Sequence, residues 1–209
     1  MRTLLVLALL APQASDRWEK DIAAFEARDK EAPPPQGGIV FIGSSTIRLW
    51  KTKDAFPDLP VVNRGFGGSQ IADSVRYADR IVLPLKPKTI LLFAGGNDIN
   101  SGKSPDQVFE DYKAFVAKIH AALPETRILF MSLYPNLKRA EQLDKTSRLN
   151  ALVADHAKTD RRLGFVDVVP VLCPDGKPNA DVLLPDQLHL NEKGYGLITP
   201  VVRKALLGE

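Results

Sequence analysis

Cysteine and histidine are scarce in this chain of 209 residues. Its single cysteine, Cys173, excludes an internal disulfide and a metal site of several cysteines, and we interpret it as a small buried residue. The three histidines include no pair with the spacing of zinc ligands. Neither positive nor negative residues are in large excess. The 28 Lys and Arg oppose 25 Asp and Glu, and the net charge of +3 argues against a nucleic-acid-binding surface.

Long hydrophobic runs are also missing. Residues 4–11 form an apolar run that is too short to cross a bilayer, so we expect no stable membrane insertion. The run follows Met1-Arg2 and precedes Pro12-Gln13-Ala14, an order typical of a secretory signal. We therefore predict that residues 1–14 are a signal peptide and that the protein is exported to the periplasm or the extracellular space. The alternative is a hydrophobic helical turn that stays in the fold.

The remaining chain divides into a short N-terminal segment and one larger domain. Within residues 15–38, the apolar spacing over 16–31 predicts an amphipathic helix, and the Pro- and Gly-rich stretch 33–38 predicts a stiff connector. Residues 39–209 contain no internal repeat and no second connector of this kind. We therefore predict a single domain over 39–209.

Within this domain, short apolar runs alternate with longer segments of helical periodicity. The predicted strands are 39–42, 61–62, 89–94, 127–131 and 164–168, and the predicted helices lie near 70–82, 105–122, 139–160 and 192–207. Continuous apolar strands are typical of sheets that helices cover on both faces. The repeated β–α order predicts an α/β fold with about five parallel strands between helices.

Ser45 is a candidate nucleophile because it follows the first predicted strand, at the sheet edge where such folds bind ligands. A serine hydroxyl needs a base within hydrogen-bond reach before it can attack. The alternative is that Ser44 or Ser45 only caps the following helix. The segment is not the Gly-x-Ser-x-Gly elbow of α/β-hydrolases, because position 47 is Ile.

His189 is the candidate base, in a loop before the last predicted helix and three residues after Asp186. A carboxylate at that spacing can fix the ring tautomer, which leaves the other ring nitrogen to take a proton from Ser45. An Asp–His pair that only organises the loop is the alternative. His120 and His156 fall inside predicted helices, and we interpret them as surface or structural residues.

Backbone and side-chain N–H groups at the same edge are candidates for holding an oxyanion. Attack on an ester carbonyl places negative charge on oxygen, and each N–H donor that meets it is typically worth about 2.7–4 kcal/mol of barrier. The N–H of Gly68, the amide of Asn97 and the N–H of Ser45 are the candidates. For the glycines at 65, 67 and 68, a turn with positive φ or close packing is the alternative.

Competing motifs are incomplete. Gly65-x-Gly67 begins like a dinucleotide fingerprint, but Gln70 stands where the third glycine belongs. Asp98-x-Asn100 begins like a calcium loop, but its twelfth position is Phe109 rather than Glu. No Walker A sequence is present. We therefore predict neither a metal nor a cofactor.

The candidate segments together resemble the four ordered blocks of the SGNH, or GDSL-like, hydrolases. The blocks are Gly43-Ser44-Ser45, Asn63-x-Gly65-x-Gly67-Gly68, Gly95-x-Asn97-Asp98 and Asp186-x-x-His189, within a resemblance that spans about 39–206. It implies a flavodoxin-like three-layer α/β/α sandwich with strand order 2-1-3-4-5. It also implies Ser45 as nucleophile, His189 as base oriented by Asp186, and Gly68 and Asn97 as oxyanion donors. The sequence departs from the family at Ser44, where the family usually has an acid. This difference bears on the stability of the turn beside Ser45 and on the pH dependence of activity.

The resemblance implies a serine esterase that needs no cofactor. The stretch 41–48 is also similar to the branch of platelet-activating-factor acetylhydrolases and carbohydrate acetylesterases, and no long apolar insertion separates the predicted strands. We therefore predict hydrolysis of short acyl esters, acetyl above all, on a small molecule or a glycan. The alternatives are an inactive carbohydrate-binding domain of the same fold, and a thioesterase, lysophospholipase or peptidase with the same triad.

Overall fold

The computed structural model describes residues 17–209, so the predicted signal peptide at 1–14 lies outside the described residues. The first element is α1 (Glu19–Glu31), which confirms the helix predicted near the N-terminus. It buries Ile22 and Phe25 and packs against the fourth helix. None of the helices within 17–209 is both long enough and apolar enough to cross a membrane.

Five strands form one parallel sheet. They are β1 (Ile39–Gly43), β2 (Val61–Gly65), β3 (Thr89–Phe93), β4 (Arg127–Met131) and β5 (Leu163–Val166). Their order in the sheet is β2-β1-β3-β4-β5, so the predicted 2-1-3-4-5 arrangement is confirmed. Every residue of the central strand β3 is buried, as continuous apolar runs predict for a sheet covered on both faces.

Helices cover the sheet and complete the predicted three-layer sandwich. After α1 they are α2 (Ser45–Leu49), α3 (Thr52–Ala55), α4 (Ile71–Ile81), α5 (Gly96–Asn100), α6 (Pro105–Ala122), α7 (Leu143–Ala157), α8 (Val169–Leu172) and α9 (Glu192–Leu207). Successive members of the group α1, α4, α6 and α7 pack against one another, while α8 packs against α9 and α9 against β5.

Three predicted boundaries were wrong, and four short helices were not predicted. The strand expected over 61–62 continues to Gly65. The helix expected over 139–160 begins only at Leu143, because a 3-10 turn at Leu137–Gln142 precedes it. The strand expected over 164–168 is β5, which ends at Val166. The helices α2, α3, α5 and α8 have only four or five residues each, too few for apolar periodicity to define.

The register of the sheet aligns three strand ends. Gly43 at the end of β1 pairs with Gly65 at the end of β2 and with Phe93 at the end of β3. The loops that follow these strands therefore start side by side along one edge. Residues far apart in sequence meet there, as the general rule for ligand sites in parallel α/β sheets predicts.

Candidate active site

Ser45 and His189, which are 144 residues apart in sequence, are hydrogen-bonded side chain to side chain. Ser45 Oγ lies 2.8 Å from His189 Nε2, and His189 Nδ1 lies 2.6 Å from Asp186 Oδ2. An ionised carboxylate only accepts hydrogen bonds, so Nδ1–H donates to Asp186. Nε2 is then the acceptor for the hydroxyl proton of Ser45, which is the arrangement that base catalysis needs.

The Asp186 carboxylate is ionised over the whole neutral range. Partial burial raises its pKa, but hydrogen bonds from the His189 ring, the His189 N–H and the Leu188 N–H outweigh burial and lower the pKa to about 2. Both backbone N–H groups donate to Oδ1 at 3.0 Å, while Oδ2 receives the ring N–H. The carboxylate thus organises its own loop and orients the imidazole at the same time.

A turn with a special backbone conformation presents Ser45. Gly43 has φ of +139°, and a Cβ at that position would stand 2.0 Å from the Phe93 carbonyl oxygen. Only glycine fits there, since the strand end runs close beside β3. Ser44 occupies the N-cap position of α2, but its side chain makes no capping hydrogen bond. Ser45 is the first residue of α2, and its hydroxyl faces His189 instead, so a purely capping role is wrong.

Neighbouring strands and helices hold α2 in place. Asn63 Nδ2 donates to the carbonyls of Ile47 at 2.6 Å and Trp50 at 3.1 Å, at the end of this short helix. Tyr195 Oη donates to the Thr46 carbonyl at 2.8 Å. Gly65 is needed here because a Cβ on it would meet the backbone N of Arg48 at 2.2 Å. The helix that carries Ser45 is therefore fixed from two sides.

Asn97 and Gly68 reach the same place from two other strands. Both line one open cleft with Ser45 and His189. Gly68 has φ of +79°, which agrees with the alternative that glycine is needed here for a turn with positive φ. Asn97 lies in the first turn of α5, where its Nδ2 donates to the Ser69 carbonyl at 3.0 Å. An amide carries two N–H donors, so one of them remains for a ligand.

Asp98 belongs to the hydrogen-bond network of the fold. It is fully buried, and its carboxylate accepts hydrogen bonds from Lys103 Nζ at 3.0 Å and from the Ile71 N–H at 3.3 Å. Burial raises the pKa of Asp98. Within residues 17–209, no group of three or more His, Cys, Asp or Glu side chains is placed to hold a metal ion.

The remaining histidines and the cysteine lie away from this cleft. His120 Nε2 is 3.0 Å from the Thr126 carbonyl oxygen, and the His156 ring contacts the rings of Phe109 and Tyr112. Both contacts are structural, as predicted. Cys173 is 2% exposed and burial raises the pKa of its thiol, so its interpretation as a buried residue is confirmed.

Two cavities meet at Ser45. The first, which we name the apolar pocket, has a volume of about 60 Å³. Its apolar lining comes from Phe93, Leu133, Tyr134, Pro135, Leu143 and Leu188. The second, which we name the arginine cleft, has a volume of about 380 Å³ and is lined by Arg17, Asp21, Ser45, Arg48, Gly67, Gly68, Asn97, Arg139, Leu188 and His189. Five residues line both cavities: Ser45, Asn97, Arg139, Leu188 and His189.

Sequence reasoning missed the arginines of this cleft and the N-terminal residue Trp18. Trp18 Nε1 donates to the Gly67 carbonyl at 3.1 Å, and the Trp18 ring packs edge-on against Phe66. Arg139 donates to the Gly96 carbonyl and to Asn97 Oδ1. No motif marks these positions, because each lies in a separate element and reaches the site only through the tertiary fold.

Comparison with known proteins points to one family. The sequence profile of the GDSL-like Lipase/Acylhydrolase family matches residues 48–197, a stretch that contains Gly68, Asn97, Asp186 and His189. Platelet-activating factor acetylhydrolase IB subunit alpha1 from Bos taurus is 28% identical over 197 residues, which cover 91% of this chain and 82% of that protein.

Two solved structures share the fold. A GDSL-like lipase from Bacteroides thetaiotaomicron superposes with a TM-score of 0.75 at 19% identity, covering 90% of this chain and 98% of its own. A mutant of the acetyl-xylooligosaccharide esterase Axe2 from Geobacillus Stearmophilus gives 0.65 at 16% identity, covering 82% and 94%. Since the family profile spans most of the sequence, the chain belongs to the GDSL-like Lipase/Acylhydrolase family and is a carboxylic ester hydrolase.

Proposed function

We propose that the protein hydrolyses short acyl esters, acetyl esters above all, through an acyl-enzyme on Ser45. The observation that carries this proposal is the continuous chain of hydrogen bonds from Ser45 Oγ through the His189 ring to Asp186. The chain ends at the cleft that Gly68 and Asn97 line. An activated hydroxyl opposite N–H donors is the arrangement that acyl transfer requires.

In the first half-reaction, Ser45 Oγ attacks the acyl carbon while His189 Nε2 takes the hydroxyl proton. The carbonyl oxygen becomes an oxyanion, which the N–H groups of Ser45, Gly68 and Asn97 stabilise in our proposal. The carbon–oxygen bond to the alcohol then breaks, and the protonated His189 gives its proton to the leaving oxygen. The alcohol departs and the acyl group stays on Ser45.

In the second half-reaction, water replaces the alcohol. His189 removes a proton from the water as its oxygen attacks the acyl-enzyme. The bond between the acyl carbon and Ser45 Oγ breaks, Oγ recovers its proton from His189, and the carboxylic acid leaves. Asp186 remains ionised throughout, because its pKa of about 2 lies far below neutral pH.

The size of the apolar pocket favours a short acyl group. Its volume of about 60 Å³ is small beside ligand pockets of roughly 300–1,000 Å³. Apolar side chains such as Phe93 and Leu133 suit a methyl or a short alkyl group. The names of one relative and one structural neighbour, an acetylhydrolase and an acetyl-xylooligosaccharide esterase, agree with acetyl as the acyl group. A glycan is our proposed alcohol part, and export by residues 1–14 would bring the enzyme to such substrates.

The test is an ester series combined with active-site labelling. 4-Nitrophenyl acetate, butyrate and octanoate are assayed with the wild type, Ser45→Ala and His189→Ala. We expect kcat/KM to fall with acyl length, and either substitution to lower it by on the order of 10³-fold or more. A fluorophosphonate probe should label the wild type once, at Ser45.

The matched control is Ser147→Ala, which removes an exposed hydroxyl from α7. It should keep full activity and full labelling. A folded wild-type protein that neither turns over esters nor reacts with the probe would instead support the inactive carbohydrate-binding domain. A preference for octanoate or for acyl-CoA would favour the lysophospholipase or thioesterase alternatives.

A further inference from the structure

Three guanidinium groups line the arginine cleft beside Ser45, against one carboxylate, that of Asp21. Arg17 precedes α1, Arg48 lies in the last turn of α2, and Arg139 lies in the 3-10 turn before α7. They come from three separate parts of the chain and converge on one cavity. The cleft therefore carries a concentrated positive charge.

Each arginine lies against a residue at the oxyanion side of the cleft. Arg17 Nη2 is 2.7 Å from the place where a Cβ on Gly68 would stand, and Arg48 Nε is 2.9 Å from the corresponding place on Gly67. Glycine at both positions leaves the guanidinium groups room to sit directly over the turn.

Arg17 and Arg48 differ from the arginines that stabilise the fold. Arg80 and Arg203, for example, form ion pairs with carboxylates of neighbouring elements. Within residues 17–209, by contrast, neither Arg17 nor Arg48 has a carboxylate oxygen within 4.0 Å. Arg139 directs Nη1 to the Gly96 carbonyl and Nη2 to Asn97 Oδ1. The N–H donors of the first two guanidinium groups are therefore available to a ligand, while the face of the Arg17 guanidinium lies over the Trp18 ring, 4.8 Å from its centre.

Guanidinium groups in a cleft that have no carboxylate partner among the described residues suit an anionic ligand. The planar fork of arginine matches the two oxygens of a carboxylate or a phosphate, and like-signed charges in a cleft raise the local concentration of anions. The apolar pocket, of about 60 Å³, is lined by Arg139 but by neither Arg17 nor Arg48, and it is too small to hold an acyl group and an anion together. An anion on the substrate must therefore lie on the other side of the scissile bond, in the alcohol part.

Building on the proposed esterase function, we propose that Arg17 and Arg48 bind an anionic group, a carboxylate or a phosphate, on the alcohol part of the ester. The competing role is to strengthen the oxyanion site for every ester alike. The two roles differ in one measurable respect. An anion-binding role changes the preference between charged and neutral alcohols, whereas an oxyanion role lowers both reactions equally.

The test uses substrates that differ only in the charge of the alcohol part. 4-Acetoxybenzoate and its methyl ester form the carboxylate pair, and 4-acetoxyphenyl phosphate supplies the phosphate arm. Arg48→Gln and Arg17→Gln are compared with Arg161→Gln, an exposed arginine just before β5, at the opposite edge of the sheet. Thermal unfolding of each variant shows that the fold is intact.

We expect the ratio of kcat/KM for the anionic ester to that for the neutral ester to fall roughly tenfold in Arg48→Gln and Arg17→Gln. The ratio should be unchanged in Arg161→Gln. In the wild type, the ratio should decline with added salt because salt screens the charges. Whichever anion shows the larger loss is the group that the cleft prefers. An equal loss on both esters, or an unchanged ratio, overturns the proposal.

A binding measurement makes the inference independent of turnover. Calorimetric titration of 4-hydroxybenzoate and of inorganic phosphate into Ser45→Ala should show saturable binding that Arg48→Gln in the same background weakens roughly tenfold. Absence of binding to Ser45→Ala overturns the anion site even if neutral esters are hydrolysed. Binding without any ester hydrolysis by the wild type would refute the esterase proposal and leave the anion site standing.

Discussion

The Arg139 guanidinium holds the Asn97 side chain in one orientation. Nη2 donates to Asn97 Oδ1 at 3.1 Å, and Nη1 donates to the Gly96 carbonyl at 3.0 Å. With Oδ1 taken by a donor, the amide cannot flip without placing its NH₂ against a cation. One N–H of Nδ2 goes to the Ser69 carbonyl, and the other is left for the cleft.

Asn97→Ala should lower kcat by roughly 10²–10³-fold and leave KM nearly unchanged, because an oxyanion donor acts in the transition state rather than on bound substrate. Steady-state kinetics on 4-nitrophenyl acetate measures both parameters. Asn100→Ala is the control, since Asn100 is exposed at the other end of α5, where its Oδ1 accepts a hydrogen bond from Gln142 Nε2. A rise in KM with kcat intact would argue that Asn97 binds the ground state instead.

Arg139→Gln should lower kcat through Asn97, and a double-mutant cycle can reveal this. In the wild-type background we expect a loss of roughly tenfold, partly restored in Arg139→Lys, which keeps a cation but not the fork. In the Asn97→Ala background, Arg139→Gln should have almost no further effect, because the side chain that it positions is gone. Losses that multiply in the double variant would show that Arg139 acts independently of Asn97.

The meeting of Ser45, Gly68, Asn97 and His189 was predictable because parallel strands end at a common edge. The blocks follow β1, β2, β3 and the loop after β5, and the observed strand order brings their starts together. The catalytic roles of these residues stay predictions. What the structure adds is the distance of 2.8 Å between Ser45 Oγ and His189 Nε2.

The arginines of the cleft were not predictable, for a physical reason. Arg17 lies in a segment whose pattern predicts only the start of a helix, and Arg48 lies in α2, a helix too short for apolar periodicity to define. Arg139 was expected inside a helix, but its φ of −132° and ψ of 39° are not helical. Residue 139 therefore interrupts the expected helix, and its side chain hydrogen-bonds to Asn97. Hydrophobic periodicity does not reveal such an interruption.

Asp186→Asn should reduce kcat/KM by on the order of 10²–10⁴-fold, less than Ser45→Ala, because an aspartate that orients the base does not itself react. Asn keeps an oxygen for the N–H groups of Leu188 and His189. Its NH₂ cannot accept the proton on Nδ1, so the ring favours the tautomer with the proton on Nε2. A loss as large as that of Ser45→Ala, in a folded protein, would mean that Asp186 has more than an orienting role.

The pH dependence of the same variant tests the charge of Asp186. Because its pKa is about 2 in the fold, no ionisation of Asp186 should appear in the kcat/KM profile between pH 4 and 9. The folded value is below the value of about 3.9 typical of an unfolded chain, so the stability that it contributes is present above pH ~4 and is lost as the pH falls toward 2. The difference in urea midpoint between wild type and Asp186→Asn should accordingly shrink between pH 7 and pH 3. An Asp186-dependent step near neutral pH would contradict the low pKa.

A buried ion pair fastens α1, and with it the Arg17 end of the cleft, to the sheet. Arg64 in β2 has a side chain only 4% exposed, and its Nη2 lies 2.5 Å from Asp29 Oδ2. Its Nε donates to the Ile81 carbonyl at 3.1 Å, and its guanidinium lies 5.1 Å from the centre of the Phe25 ring. Removing the carboxylate leaves a buried cation without its anion, which is the costly way to break such a pair.

Asp29→Ala should therefore lower the free energy of unfolding by about 2–3 kcal/mol, somewhat below the usual range because Asp29 is partly exposed. Asp58→Ala, which breaks an exposed pair with Arg203, should have a much smaller effect, because solvent screens the two charges. The double variant Asp29→Ala with Arg64→Met should recover part of the loss, since no buried charge remains. Urea unfolding at neutral pH measures all three. Equal effects of Asp29→Ala and Asp58→Ala would show that burial of Arg64 adds nothing to the pair, and α1 would then depend on Ile22 and Phe25 for its attachment.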